Sequence, residues 1–288
     1  LRPKPLGVML PHMVDPKAFR LLSDQERRDA RDEFGLPHDA IVCGRTGQPV
    51  PLIWPPGQIE AFRLAATQRP DLWLALAGFP AELNHQIDAL PPDVRRRVVL
   101  VPFISGDDER LNRFYNTFDM FLHITRIGES FGLVLCEAQL AGAPCVTLST
   151  PTKGNSQTYV VGHERGGLIA ADVSSASQAV LTLAGNPTLR HRLRVQGAAW
   201  VREECDPDRI VKRFAQLLTL TRESHDRQAL AEALTKAEFV TEINRADIQQ
   251  LLSRMIGRHG RRELTIARLV AHPLVYRAYL WVRGLRRE

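Results

Sequence analysis

With 288 residues, an apolar share of 44% and a charged share of 24%, the chain has the composition of a globular protein with ample core. It contains no run of the roughly 18 apolar residues that a membrane-spanning helix needs, which argues against an integral membrane protein. The net charge of +6 belongs to the C-terminal tail, because residues 254–288 hold nine arginines and two glutamates.

Nine histidines and four cysteines are spread along the chain without the short spacings that metal sites need. Three of the cysteines lie in apolar runs, where buried free thiols are the usual occupants. We therefore expect a reduced, cytoplasmic protein with no metal site and no disulfide framework.

The first 170 residues contain alternating short strands and helices. A proline-rich opening and a helix over 23–34 are typical of a linker that leads into a domain. The predicted strands cover 40–45, 72–78, 98–102, 120–124, 145–148 and 168–170. The predicted helices between them cover 57–68, 81–90, 107–115, 131–141 and 157–161. This pattern predicts an α/β, Rossmann-like doubly wound parallel sheet, which binds ligands at the carboxyl ends of its strands.

After residue 172 the pattern becomes helical. Helices are predicted over 174–184, 189–205 and 207–223, followed by a charged helical stretch over 229–255. We divide the chain into an interdomain crossover with the first helix, a ligand-binding domain and an added helical, basic C-terminal region. The three parts cover residues 1–38, 39–225 and 226–288.

The basic tail interleaves arginines with aromatic and apolar residues such as Tyr276, Tyr279 and Trp281. Such a segment suits packing on another domain or a partner chain. It also suits an anionic membrane surface, which would make the protein peripheral on the inner membrane. Nucleic-acid binding fits least, because no recognised binding module accompanies the tail.

The stretch over 119–147 carries the most chemical information. An apolar strand ends in the polar turn RIGES, and an apolar helix and a second strand follow. Glu137 is the single charged residue of that helix, and a buried carboxylate is costly unless something hydrogen-bonds it. Glu129 lies in the turn, where Ser130 is available as an N-cap and the helix amides suit an anion. We interpret this arrangement as a nucleotide-sugar pocket.

These residues resemble the Glu-x7-Glu signature of retaining glycosyltransferases with the two-domain GT-B fold, family 4. Further segments resemble the family's motifs in the same order, over about 200 residues. They are VMLPHMVDPKAFR for the interdomain crossover, CGRTGQPVPLIW for the first donor-domain strand and loop, VLVPFIS and DMFLH for the base-binding strand and its successor, and PTKGNSQTYVVGHERGG for a later loop. The resemblance identifies the chain as the C-terminal, donor-binding half of such a fold.

The resemblance implies a nucleotide-diphosphate sugar donor and retaining transfer to a glycan, lipid-linked or small acceptor. It implies neither a cofactor nor an obligatory metal. Glu137 would accept hydrogen bonds from the ribose hydroxyls, and Glu129, the predicted catalytic residue, would bond the sugar ring near its anomeric carbon. The amides around Gly132 would hold the diphosphate. The other donor-binding residues would be Ser130, Phe131, Leu133, Arg126, Gly47, Gln48, Lys153 and Asn155, with Phe103 and Ile104 flanking the base.

Two features depart from the family pattern. Relatives carry Gly-Arg-Pro-Asp-Pro-x-Lys-Trp in the first loop, and its Arg and Lys, which neutralise the diphosphate, are replaced here by Gln48 and Ile53. Charge-assisted hydrogen bonds are thereby lost, for which Arg45, Arg126 or Lys153 could compensate. In addition, the chain begins with Leu at the crossover, so we expect a missing N-terminal acceptor domain or a partner chain.

These departures support an alternative, a degenerate, non-catalytic nucleotide-binding or scaffold domain. An oxidoreductase is discounted, because no GxGxxG follows the first strand. Single residues also have structural interpretations. Glu137 could bond a neighbouring strand's backbone, Glu129 could be a first-turn acid favoured by the helix dipole, and His123 fits a packed histidine better than a catalytic base. Phe103 could belong to the core, and a solvated or helix-capping role suits the polar residues Arg126, Lys153, Asn155, Ser156 and Gln157.

Overall fold

Six parallel strands form a sheet in the order β3-β2-β1-β4-β5-β6 in the computed structural model, which describes residues 6–125, 127–239, 245–271 and 275. The strands are β1 Ile41–Thr46, β2 Leu72–Ala77, β3 Val98–Val101, β4 Met120–His123, β5 Cys145–Leu148 and β6 Gly167–Ala170. The chain winds outward in one direction from β1 to β3 and in the other from β4 to β6. The sheet is therefore doubly wound, as predicted, with its switch point between β1 and β4.

Thirteen α-helices fall within the described ranges. They are α1 Asp24–Glu33, α2 Pro56–Ala66, α3 Asn84–Asp88, α4 Pro92–Arg95, α5 Asp108–Asn116, α6 Leu133–Leu140, α7 Ser156–Val161, α8 Val173–Gly185, α9 Pro187–Glu204, α10 Pro207–Glu223, α11 Arg227–Lys236, α12 Arg245–Arg254 and α13 Arg261–Ala271. Short 3₁₀ turns cover Pro51–Ile53 and Ala81–Leu83.

The charged helical stretch predicted over 229–255 contains two helices, α11 and α12, among the described residues. Helix α11 ends at Lys236, because Glu238 adopts a φ of 57° in the left-handed region. This geometry lets the amide of Phe239 donate to the carbonyl of Leu234 over 2.9 Å, which closes the helix end. A second helix, α12, begins at Arg245.

Most long helices begin at a side chain that accepts a hydrogen bond from the first turn. Ser23 and Glu26 form a capping box at α1, and Asp172 and Ser175 form one at α8. Asp107 accepts from the amide of Arg110 at the start of α5. These caps satisfy amides that have no partner inside the helix. Helix α6 differs, as described below.

Two apolar layers enclose the sheet, because successive strand residues point to opposite faces. On one face Phe121 packs with Phe114 of α5 and Leu135 of α6. On the other face Leu122 packs with Phe62 of α2 and with residues of α8. All four cysteines are buried and free. Burial on both faces explains why most of the strands are mainly apolar.

The first helix is tied to the sheet by a buried ionic network. Arg27 and Arg31 each place a guanidinium nitrogen 2.8 Å from a carboxylate oxygen of Asp119, which precedes β4. The amide of Val42 in β1 also donates to this carboxylate. Although burial alone would raise the pKa of Asp119, the two guanidiniums and the amide lower it. The carboxylate is thus held ionised at the start of the site-bearing strand.

Residues 254–257 lie against the outer strand β6. The amide of Ile256 donates to the carbonyl of Ile169, and the amide of Ala171 donates to the carbonyl of Ile256, each over 2.9 Å. Met255 is buried in the core, and Arg254 pairs with Glu164. Part of the predicted C-terminal region therefore covers backbone groups at the edge of the sheet.

Candidate functional site

A cavity of about 340 Å³ opens at the carboxyl ends of β1 and β4, where the strand order reverses. It is lined by the loop after β1, the end of β4 and the turn before α6. The lining residues are His12, Arg45, Thr46, Gly47, Gln48, Ile53, His123, Glu129, Ser130, Phe131, Gly132, Leu133 and Val134. The cavity lies where a doubly wound sheet binds its ligand.

A second cavity of about 200 Å³ adjoins the first and shares its lining from Thr46 to Gln48. It contains Phe103 and Ile104, which follow β3, and also Glu137. Phe103 is 43% exposed, whereas Ile104 is buried. The predicted base-flanking and ribose-binding residues therefore lie together in one cavity, next to the predicted diphosphate site.

The turn before α6 is built around Gly132. This glycine has a φ of +97°, and a Cβ there would lie 2.9 Å from Leu135 Cδ1. The predicted N-cap at Ser130 is wrong, because Gly132 itself occupies the cap position and Ser130 is exposed outside the helix. Among the described residues no side chain caps α6. Its first amides therefore remain suited to an anion.

Glu137 is held by a buried tyrosine. The hydroxyl of Tyr115 in α5 donates to Glu137 Oε2 over 2.7 Å and lies 2.8 Å from Thr46 Oγ1. Burial raises the pKa of Glu137, although the Tyr115 hydrogen bond works against that rise. Among the described residues, the partner of this carboxylate is thus a side chain of α5 and not the backbone of a neighbouring strand.

Glu129 is held by β4 and α7. His123 Nε2 lies 2.8 Å from Glu129 Oε1. The amide of Glu129 donates to Gln157 Oε1 over 3.1 Å, and its carbonyl accepts from the amide of Ser156 over 3.3 Å. His123 is packed, as its apolar strand suggested, with its ring stacked on Phe121 at an interplanar angle of 12°. It also contacts the predicted catalytic carboxylate.

The loop from Thr150 to Gln157 supports the turn before α6 from outside the two cavities. Asn155 occupies the N-cap position of α7, but its side chain accepts from the amide of Thr150 over 2.7 Å and not from an amide of the helix. The amide of Lys153 donates to the carbonyl of Thr150. Neither Lys153 nor Asn155 lines either cavity among the described residues. Arg126 lies outside the described residues.

Gln48 and Ile53, the two positions that replace the family's cations, both border the first cavity. Arg45 lies beneath them and is the one lysine or arginine among the described lining residues. Its guanidinium donates to the carbonyls of Ile53 and Ile124 and to Gln58 Oε1, and burial lowers the pKa of Arg45 to about 9. Arg45 therefore contributes positive potential, while most of its donors are engaged within the protein.

Several lining or supporting residues were not predicted from the sequence. Tyr115 and Glu137 are 22 positions apart on different helices, and no spacing rule joins them. His12 packs against Phe131 with ring centroids 5.0 Å apart, which brings the crossover segment to the cavity. The remaining unpredicted lining residues are Thr46, Ala77, Leu111 and Val134.

Within the described ranges, no group of three His, Cys, Asp or Glu side chains could hold a metal ion. The described helices include none with the length and apolarity required to cross a membrane.

Residues 57–186 match the family model described as "Glycosyl transferases group 1". The chain is 30% identical over 201 residues to a D-inositol 3-phosphate glycosyltransferase of Jonesia denitrificans. That match covers 67% of this chain and 46% of that protein. It is 32% identical over 167 residues to a D-inositol 3-phosphate glycosyltransferase 2 of Catenulispora acidiphila. That match covers 53% of this chain and 38% of that protein. The chain thus spans less than half the length of these relatives.

Solved structures share the fold. Anabaena Alr3699/HepE in complex with UDP-glucose superposes with a TM-score of 0.61 at 19% identity, over 72% of this chain and 56% of that one. The C-terminal domain of a glycosyl transferase group 1 family protein (LpcC) from Francisella tularensis superposes with a TM-score of 0.57 at 15% identity, over 67% of this chain and 99% of that one. The predicted resemblance to the donor-binding half of such proteins is confirmed at the level of fold.

Proposed function

We propose, on the premise that residues 57–186 form a glycosyl transferase group 1 domain, that the chain binds a nucleotide-diphosphate sugar. Its sugar would be transferred with retention to a glycan, lipid-linked or small acceptor. The proposal rests mainly on one observation. Glu129, Glu137 and the start of α6, which no described side chain caps, all border the two adjoining cavities at the switch point of the sheet. Glu137 offers a carboxylate to the ribose and Glu129 offers one to the transferred sugar. The first amides of α6 suit the phosphates.

The two adjoining cavities suit the parts of such a donor in order. The base would lie between Phe103 and Ile104, with the ribose hydroxyls donating to Glu137. The diphosphate would accept hydrogen bonds from the first amides of α6, where the positive φ of Gly132 brings the backbone close. The transferred sugar would then reach Glu129 in the larger cavity.

The departing diphosphate would be stabilised by fixed protein groups and not by an obligatory metal. Helix amides and a preorganised positive potential act in this way without reorganising during the reaction. Arg45 supplies such potential from beneath the cavity. Lys153 and Arg126, which follow neighbouring strands, remain candidate donors to the phosphates.

The proposal extends to the acceptor site, the cellular location and the basic C-terminal tail. We infer a partner domain or chain that completes the acceptor site opposite the carboxyl edge of the sheet, and a cytoplasmic protein. The basic tail would contact that partner or an anionic membrane surface. Its residues 272–274 and 276–288 lie outside the described residues. Liposome flotation of chains with and without residues 254–288 tests the membrane contact.

A degenerate domain that binds a nucleotide without transferring a sugar is the second candidate. Gln48 and Ile53 favour it, because they border the cavity at the two positions where the family has cations. Nucleotide binding without hydrolysis or transfer of the donor, in the presence of the completing domain, would support this alternative.

A thermal shift assay tests donor binding. We expect UDP or GDP to raise the melting temperature of the chain and Glu137→Ala to abolish that rise. Glu232→Ala is the matched control, because Glu232 is an exposed glutamate of α11 that lines neither cavity. The absence of a shift with every nucleoside diphosphate would contradict the proposed function.

A further inference from the structure

His123 is the last residue of β4, and its ring is fixed in plane and position. The side chain is 5% exposed, and the ring stacks on Phe121 with centroids 5.6 Å apart. Its Nε2 lies 2.8 Å from Glu129 Oε1, whereas the Glu129 side chain is 25% exposed and borders the larger cavity. A rigid buried ring thus contacts a carboxylate at the surface of the cavity.

Only one of the two ring nitrogens of His123 has a hydrogen-bond partner among the described residues. Nδ1 of His123 is buried and has no hydrogen-bond partner among the described residues. Buried polar atoms are usually paired, and a histidine with a purely structural role would normally use both nitrogens. The hydrogen bonding of this imidazole is instead directed to Glu129 alone.

The protonation state follows from the surroundings of the ring. Burial lowers the pKa of His123, and the nearby Arg45 guanidinium lowers it further, while Glu129 works in the opposite direction. A neutral imidazole whose Nε2 faces a carboxylate must carry its proton on Nε2, which leaves Nδ1 as the bare nitrogen. His123 therefore donates to Glu129.

No other described side chain hydrogen-bonds the Glu129 carboxylate. Its backbone amide and carbonyl are bonded to Gln157 and Ser156, which fix the chain but leave the side chain free to rotate. Gln157 is itself held by the carbonyl of Leu148 over 2.9 Å. The orientation of the carboxylate thus depends on His123.

We propose that His123 is a positioning residue that holds the Glu129 carboxylate in the orientation that receives the donor sugar. This inference rests on the proposed function for its substrate, and on geometry for the contact itself. Without the Nε2 donor, the carboxylate would turn toward solvent. Groups that bind a substrate must be held within a fraction of an ångström, so such a turn weakens recognition of the sugar.

Two variants separate positioning from packing. His123→Phe keeps an aromatic ring against Phe121 and removes the donor, whereas His123→Gln restores an N–H donor. Affinities for UDP and UDP-glucose are measured by calorimetry on both variants and the unsubstituted chain. We expect His123→Phe to lower the affinity for UDP-glucose about tenfold and to change that for UDP less than about twofold. His123→Gln should recover most of the loss.

Equal losses for UDP and UDP-glucose would overturn the proposal, because a general packing role affects both ligands. Unchanged UDP-glucose affinity in His123→Phe would overturn it as well. A chain that binds neither ligand contradicts the proposed function, and a second measurement then decides the inference.

That second measurement is the ¹⁵N NMR spectrum of the histidine rings, in which His123→Phe identifies the His123 signals. We expect a proton on Nε2 and a bare Nδ1, and we expect Glu129→Ala to shift the Nε2 signal. A proton on Nδ1, or an Nε2 signal that is insensitive to Glu129→Ala, would overturn the proposal whether or not the chain binds a nucleotide.

Discussion

The hydroxyl of Tyr115 donates to Glu137 Oε2 over 2.7 Å, and this contact joins α5 to the helix that begins at the cavity. His123 makes the equivalent contact with Glu129. Each of the two predicted site carboxylates is therefore held by one buried donor from an earlier part of the chain. Carboxylates that are fixed in this way are preorganised for a polar ligand.

Removal of the Tyr115 hydroxyl should affect both stability and binding. Tyr115→Phe leaves the partly buried Glu137 carboxylate without its donor, which should lower the free energy of unfolding by about 1–2 kcal/mol. The affinity for UDP should also fall, because the carboxylate is no longer oriented. Urea unfolding and calorimetry measure the two effects. Tyr159→Phe is the control, since the Tyr159 ring packs on Trp200 and lines neither cavity. An equal loss of UDP affinity in this control would contradict the assignment.

Glu137 should cost stability at neutral pH. Burial raises the pKa of Glu137, so the unfolded chain releases this proton at a lower pH than the folded chain. Stability therefore falls as the pH rises through that interval and stays reduced above it. Glu137→Gln should be more stable than the unsubstituted chain by about 1 kcal/mol at pH 7.5. The difference should vanish below about pH 4, where both states are protonated.

Thermal unfolding between pH 4 and pH 7.5 checks this sign. The same variant should lose affinity for UDP, because its amide has one acceptor oxygen and no negative charge, whereas the carboxylate offers two charged acceptors to the ribose hydroxyls. A variant that is less stable at pH 7.5 would show that the Tyr115 hydrogen bond outweighs the cost of burial.

Restoring the two cations should strengthen phosphate binding. Gln48→Arg combined with Ile53→Lys places positive charge at the rim of the larger cavity, and we expect about a tenfold gain in affinity for UDP. Leu52→Lys is the control, because Leu52 is 52% exposed in the same loop and does not line the cavity. A gain of equal size in the control would indicate a general charge effect. No gain in the double variant would mean that the loop does not contact the phosphates.

Loss of the Asp119 network should destabilise the fold. Asp119→Ala leaves Arg31 buried without its charge partner, at an expected cost of about 3–5 kcal/mol. Because the pKa of Asp119 is lowered in the folded chain, its contribution is present above the unfolded pKa and is lost as the pH falls through the folded value. Urea unfolding at pH 7 measures the cost, with Asp88→Asn at an exposed position as control. Equal stability of the two variants would show that the network contributes nothing.

The sheet could be predicted from the sequence because all of its strands except the edge strand β3 are largely buried on both faces. Most strands are short, mainly apolar runs between polar or glycine-containing turns, and such runs stand out from the amphipathic helices around them. The positions of Glu129 and Glu137 at the switch point followed from the order of these runs. The local motif was therefore enough to locate the cavity.

The partners of these carboxylates could not be predicted in the same way. Tyr115 and Glu137 meet only because α5 and α6 pack on one face of the sheet, which is a tertiary contact. The cap at Ser130 was predicted from residue type alone. The positive φ of Gly132 moved the helix start two residues further on. The location of a site can be predicted from sequence, but its hydrogen bonding depends on packing.

A crystal structure of the chain with UDP tests the central claim most directly. The account predicts the uracil between Phe103 and Ile104, a ribose hydroxyl within hydrogen-bond distance of Glu137, and the β-phosphate at the amides of Gly132 and Leu133. UDP bound elsewhere, or a ribose that does not contact Glu137, would contradict it.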